Sequence, residues 1–106
     1  MNRIYISGPM TGLPGCNFAT FNAAAARLRL LGYEVVNPAE LNTDPETDWH
    51  TALRKDLQAL LTCDTLALLG GWQKSSGAHL EMHVAHRVGM DIVICEDIRK
   101  PKWKSG

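Results

Sequence analysis

The stretch Asp64-Thr65-Leu66-Ala67-Leu68-Leu69 decides the fold. It is nearly all apolar, with no polar alternation, as expected of a parallel strand covered by helices on both faces. After it, Gly70-Gly71-Trp72-Gln73-Lys74 forms a loop, and a helix is predicted from Ser75 or Ser76, either of which can cap it, to Val88, where Gly89 closes it. Asp91-Ile92-Val93-Ile94-Cys95 is the next strand. Before it, Asp48 caps a helix over 49–62 with an apolar side of Trp49, Leu53, Leu57, Leu60 and Leu61. Residues 39–47 are polar and irregular. Tyr33-Glu34-Val35-Val36 is a strand stopped by Asn37-Pro38. Asn17 is a good N-cap for a helix whose face is Phe18, Phe21, Ala25, Leu28 and Leu31. Ile4-Tyr5-Ile6 opens the chain as a central strand.

The order β-α-β-α-β-α-β implies an α/β fold: a small doubly wound (Rossmann/flavodoxin-like) three-layer sandwich with a parallel sheet of four to five strands. Such sheets bind ligands beyond the carboxyl ends of the strands, near a switch in strand order. Three loops lie there: 7–15, the segment from Asn37, and 70–77. The first holds three glycines and two prolines within 8–15, a shaped backbone rather than a helix. Residues 1–97 read as one domain. Residues 98–106 read as a basic, flexible tail, with Arg99, Lys100, Lys102 and Lys104 around Trp103.

The chain has 106 residues and a formal net charge of zero, which argues against a nucleic-acid-binding module with its basic stripe. A small anion needs only a helix N-terminus. The three cysteines, Cys16, Cys63 and Cys95, match no zinc or redox spacing and read as reduced thiols of a cytoplasmic protein. The opening apolar run is too short for a signal peptide or a membrane span. His79 and His83 stand at i, i+4, but the His-Glu-x-x-His pattern and a third ligand are missing, so neither metal nor cofactor is expected.

Glu81 is the unusual residue. Its helical neighbours are Gly77, Ala78, Val84 and Ala85, a small and apolar surround. Either the carboxylate reaches back to water from the edge of an amphipathic helix, or the protein uses it, because a buried charge is costly. Asp56 points close to the apolar side of the preceding helix. Asp64 is either a turn residue or part of a site. Trp72 could stack on a nucleobase or anchor a dimer, and Lys74 could pair with a phosphate or stay in water.

Taken together these residues resemble the nucleoside 2-deoxyribosyltransferase superfamily, near its 2′-deoxynucleoside 5′-monophosphate N-glycosidases. The resemblance rests on Ile4-Tyr5-Ile6-Ser7-Gly8-Pro9-Met10, on Asp56-Leu57, on Asp64, and on Gly77 four residues before Glu81 with Ala85 four after. It implies an enzyme that breaks an N-glycosidic bond, by hydrolysis ahead of base exchange, with a nucleotide-binding module without catalysis as the alternative. Glu81 would be the nucleophile, Asp64 would position or protonate the leaving base, and Tyr5 would orient Glu81 or contact the sugar. Asp56 would support the site, and Gly8, with Pro9 and Met10, would let the backbone approach the base or sugar. Ser75, six before Glu81, stands where the monophosphate N-glycosidases have a serine that contacts the 5′-phosphate. Ser76 and Gly77 would complete that contact. Met10-Thr11 replaces the arginine those hydrolases carry in the first loop. The implied partners are a small nucleotide or nucleoside and a second copy of the chain, in a homodimer or larger assembly, with no nucleic acid and no membrane.

Overall fold

The computed structural model describes residues 1–44 and 46–101. Strand β1 (Arg3–Ser7) leads through a three-residue-per-turn segment at Pro14–Asn17 into helix α1 (Phe18–Leu30). Strand β2 (Glu34–Val36), helix α2 (Pro38–Leu41) and helix α3 (Trp49–Leu60) follow. Then come β3 (Thr65–Leu68), α4 (Ser76–Arg87) and β4 (Asp91–Ile94). The sheet is parallel throughout, in the order β2-β1-β3-β4. The chain steps one way from β1 to β2 and the other way from β2 to β3 and β4. The strand order therefore reverses at the carboxyl ends of β1 and β3, where Ser7 sits opposite Leu68.

The pleat of β1 sorts its side chains. Ile4 and Ile6 point to one face and join Ala67, Leu69 and the buried Phe21, Ala25 and Leu28 of α1. Tyr5 points to the other face and packs with Leu66, Leu68, Leu60 of α3 and Ala85 of α4. The two apolar clusters make the three layers. Among the described residues no helix is long and apolar enough to cross a membrane.

Several local expectations are corrected. A short helix, α2, stands in the segment read as irregular, because Asn37 accepts from the Ala39 N–H at 3.0 Å and Pro38 starts the turn. Asn17 occupies the N-cap of α1 without capping it. Gly15, Cys16 and Asn17 are all left-handed (φ 57°, 54° and 60°), and the Asn17 amide donates to the Pro9 carbonyl instead. Leu80 of α4 and Val88 just after it stand at the surface. The buried face is Ala78, Glu81 and Ala85, small residues that let the helix lie close on the sheet. The segment after β4 does not fray at residue 98. Ile98 is buried, the Arg27 guanidinium donates to the Cys95 and Ile98 carbonyls, and the Tyr33 hydroxyl donates to the Arg99 carbonyl. Lys102, Trp103 and Lys104 lie outside the described residues.

Candidate functional site

At the reversal of strand order lies a cleft of about 630 Å³, within the size range of small-molecule sites. Its walls come from five places. The loop after β1 contributes Gly8, Pro9, Met10, Thr11 and Gly12, and α1 contributes Phe18 and Phe21. Pro38 and Asn42 border it beneath α3. Helix α3 adds Trp49, Leu53 and Asp56, and the start of α4 adds Ser75, Ser76, Gly77 and Glu81.

Glu81 lies one turn inside α4 and is only 6% exposed. Tyr5 and Ser7 are two apart on β1, so the pleat points both at α4. The Tyr5 hydroxyl donates to Glu81 Oε2 at 2.5 Å and the Ser7 hydroxyl donates to Oε1 at 2.7 Å. Burial pushes the Glu81 carboxyl up to about 7. The two hydroxyl bonds pull it down, and the nearby charge of Asp56 adds to the upward push. Burial, with Glu81 and Asp56 close by, also pushes the Tyr5 phenol well above its ordinary value, so it stays a donor. Asp56 is raised by burial to about 6, against the Asn42 amide, which donates to its Oδ1 at 2.7 Å. Two carboxyl groups thus share one cleft, both protonating near neutrality, as acid–base chemistry requires.

At the other end of the cleft the N-terminus of α4 is open. Ser75 is the N-cap, its Oγ accepting from the Ala78 N–H at 3.1 Å, which leaves its hydroxyl hydrogen free to donate to an anion. Lys74 borders the same end.

Of the residues picked from the sequence, the structure brings together Tyr5, Gly8, Pro9, Met10, Asp56, Ser75, Ser76, Gly77 and Glu81. Gly8 has a packing reason of its own: a Cβ there would stand 2.8 Å from the Cβ of Leu69. Asp64 is not part of the site. It precedes β3 at the amino edge of the sheet and accepts from the backbone N–H groups of Asn2 and Arg3 and from the Thr65 hydroxyl. Partial burial pushes its carboxyl up, but those bonds outweigh it and hold the group below the usual range. A four-residue strand separates Asp64 from the cleft end, ~13 Å at the usual rise per residue. Trp72 is not in the cleft either. It packs on the Tyr5 cluster with its ring 5.3 Å from that of His79, whose Nε2 lies 2.7 Å from the Gln73 carbonyl.

Sequence reasoning missed Ser7, Asn42, Trp49 and Phe18. Ser7 was findable, because two residues past a functional strand residue is the same face. Trp49 stands on the first turn of α3 at the cleft, 45% exposed, with the His50 ring edge-on to it.

Comparison with known proteins agrees with the topology. No curated protein matches the sequence. Solved structures match the fold, among them the 2-desoxiribosyltransferase from Leishmania mexicana, with a TM-score of 0.69 and 19% identity. That match covers 89% of this chain and 63% of the other, so this chain spans less than two thirds of that structure's length. The likeness establishes a shared α/β, Rossmann-like fold. Residues 2–94 match the family described as Domain of unknown function (DUF4406), and with nearly the whole chain inside that match, the protein belongs to this family.

Proposed function

We propose that this protein cleaves the N-glycosidic bond of a (2′-deoxy)nucleoside 5′-monophosphate and releases the free base. The observation that carries the reading is the Glu81 carboxylate, buried at the cleft and held by two buried hydroxyls. A carboxylate beside the anomeric carbon stabilises the positive charge that develops as the bond breaks. Glu81 attacks C1′, the C1′–N bond breaks, and its electron pair goes to the base nitrogen. The base takes a proton from Asp56, which replaces Asp64 in that role because it shares the cleft. Water then gives a proton to Asp56 and attacks C1′, returning Glu81. The 5′-phosphate lies on the N-terminus of α4, at Ser75, Ser76 and Gly77, with Lys74 supplying the charge that Met10-Thr11 does not. The apolar wall of Met10, Phe18 and Trp49 faces the base.

The protonation states set the pH dependence. The productive form has Asp56 protonated and Glu81 ionised, although Asp56 stands at about 6 and Glu81 at about 7. That form falls away at low pH as Glu81 protonates and at high pH as Asp56 ionises, which gives a bell-shaped profile near neutrality.

Base exchange uses the same steps with a second base in place of water. The fold shared with a 2-desoxiribosyltransferase favours it as the second reading. A second copy of the chain would pack on partly exposed apolar residues such as Leu61, Leu80, Val88 and Ile94. The test is incubation with a panel of nucleosides and 5′-monophosphates, with released base followed by chromatography and Glu81→Gln as control. Release from monophosphates alone, strongest near neutrality and absent in Glu81→Gln, is the expected result. Release that needs an acceptor base moves the protein to the transferases. Full turnover by Glu81→Gln refutes the assignment.

A further inference from the structure

We propose that Ser7 is a positioning residue for Glu81: its hydroxyl and that of Tyr5 hold the two carboxylate oxygens from beneath and leave the opposite lone pairs to the cleft. The inference rests on the reading of Glu81 as the nucleophile. Ser7 is 1% exposed and Tyr5 fully buried, and neither borders the cleft, whereas Glu81 does. The two hydroxyls therefore approach the carboxylate from the sheet side. The strand itself is fixed there, with the Ser7 carbonyl accepting from the Leu69 N–H at 2.8 Å. A carboxylate with one hydroxyl partner can swing about that bond. With one donor on each oxygen, 2.5 and 2.7 Å away, its plane is set.

The arrangement has a chemical consequence with a definite sign. Each hydroxyl bond favours the charged form of Glu81, against burial. The titratable groups facing Glu81 are Tyr5 from β1 and Asp56 from α3, while Lys74, Asp44 and Cys16 border the same cleft. Removing the Ser7 hydroxyl leaves all of these in place and takes away one stabiliser of the anion. The deficit of Ser7→Ala thus has two parts: one of ionisation, which fades at alkaline pH, and one of lost orientation, which does not.

The test has two arms on the full chain. In substrate-free protein carrying ¹³C-labelled Glu, the midpoint of the Glu81 carboxyl titration rises by about one pH unit in Ser7→Ala. It returns to the wild-type value in Ser7→Thr, which keeps the hydroxyl. Where Ser7→Ala does not fold, Ser7→Cys, with its weaker donor, gives an upward shift of smaller size. In the turnover arm, kcat/KM of Ser7→Ala is below wild type at every pH, and the deficit below pH 6 is about ten-fold larger than near pH 9, as a one-unit shift requires. An unmoved titration midpoint, a loss of rate equal at every pH, or the full wild-type rate near pH 9 overturns the proposal. A moved midpoint in a protein whose wild type releases no base refutes the glycosidic reading and leaves the clamp standing.

Discussion

Glu81→Gln should make the protein more stable while ending its turnover, and the gain should depend on pH. The wild-type carboxyl titrates near its ordinary 4.5 when unfolded and at about 7 when folded. A group whose folded value is raised binds more protons folded than unfolded, so its contribution falls as pH rises through that window. At pH 8 the folded state carries the cost of a buried charge, ~3 kcal/mol for a shift of this size. At pH 5 the same arithmetic leaves ~1 kcal/mol. Glutamine has the same shape without the charge: its oxygen accepts from Tyr5 and its amide donates to the Ser7 oxygen. Urea unfolding at pH 5 and pH 8 measures both proteins. The variant should gain ~2 kcal/mol more at pH 8 than at pH 5. A stability difference that is flat with pH, or a loss in the variant at pH 8, refutes the argument that Glu81 is held charged against burial.

Asp64→Asn should leave kcat/KM within two-fold of wild type, because the residue stands at the far edge of the sheet. It should cost ~1–2 kcal/mol in urea unfolding by weakening the bonds to the Asn2 and Arg3 N–H groups. Trp49→Ala should raise KM about ten-fold or more with kcat little changed, as for loss of a stacking surface worth ~1–3 kcal/mol. Steady-state kinetics reads both, and Trp49→Phe should recover most of the affinity.

Much of the architecture was legible because it is written in runs. Thr65 to Leu69 could only be a strand covered on both faces, and all five residues are buried. Glu81 stood out because Gly77, Ala78 and Ala85 leave nothing else polar around it. The misreadings share a physical cause. Asp64 and Trp72 were picked for what their side chains can do, without asking which end of the strand or which side of the loop they occupy. In a parallel sheet a residue before a strand lies at the amino edge, away from the ligand. That rule alone would have exchanged Asp64 for Asp56. Trp72 was harder, since whether a loop tryptophan folds back onto Tyr5 depends on contacts distant in sequence. The helix at Pro38–Leu41 was missed because Asn37 was read only as a strand stop and not also as a cap.

The alternation along β1 divides its residues between two duties. Positions 5 and 7 serve the carboxylate, and positions 4 and 6 fill the core beneath α1. Loss of the hydroxyls at positions 5 and 7 should therefore act first on the carboxylate and lower activity, and substitutions at positions 4 and 6 should act on packing and lower stability. A one-residue deletion between Tyr5 and Ser7 flips every residue on one side of it to the other face, so the two can no longer share the face of Glu81. The strand can vary in what it carries but not in its count, a constraint on insertions and deletions that no single substitution would reveal.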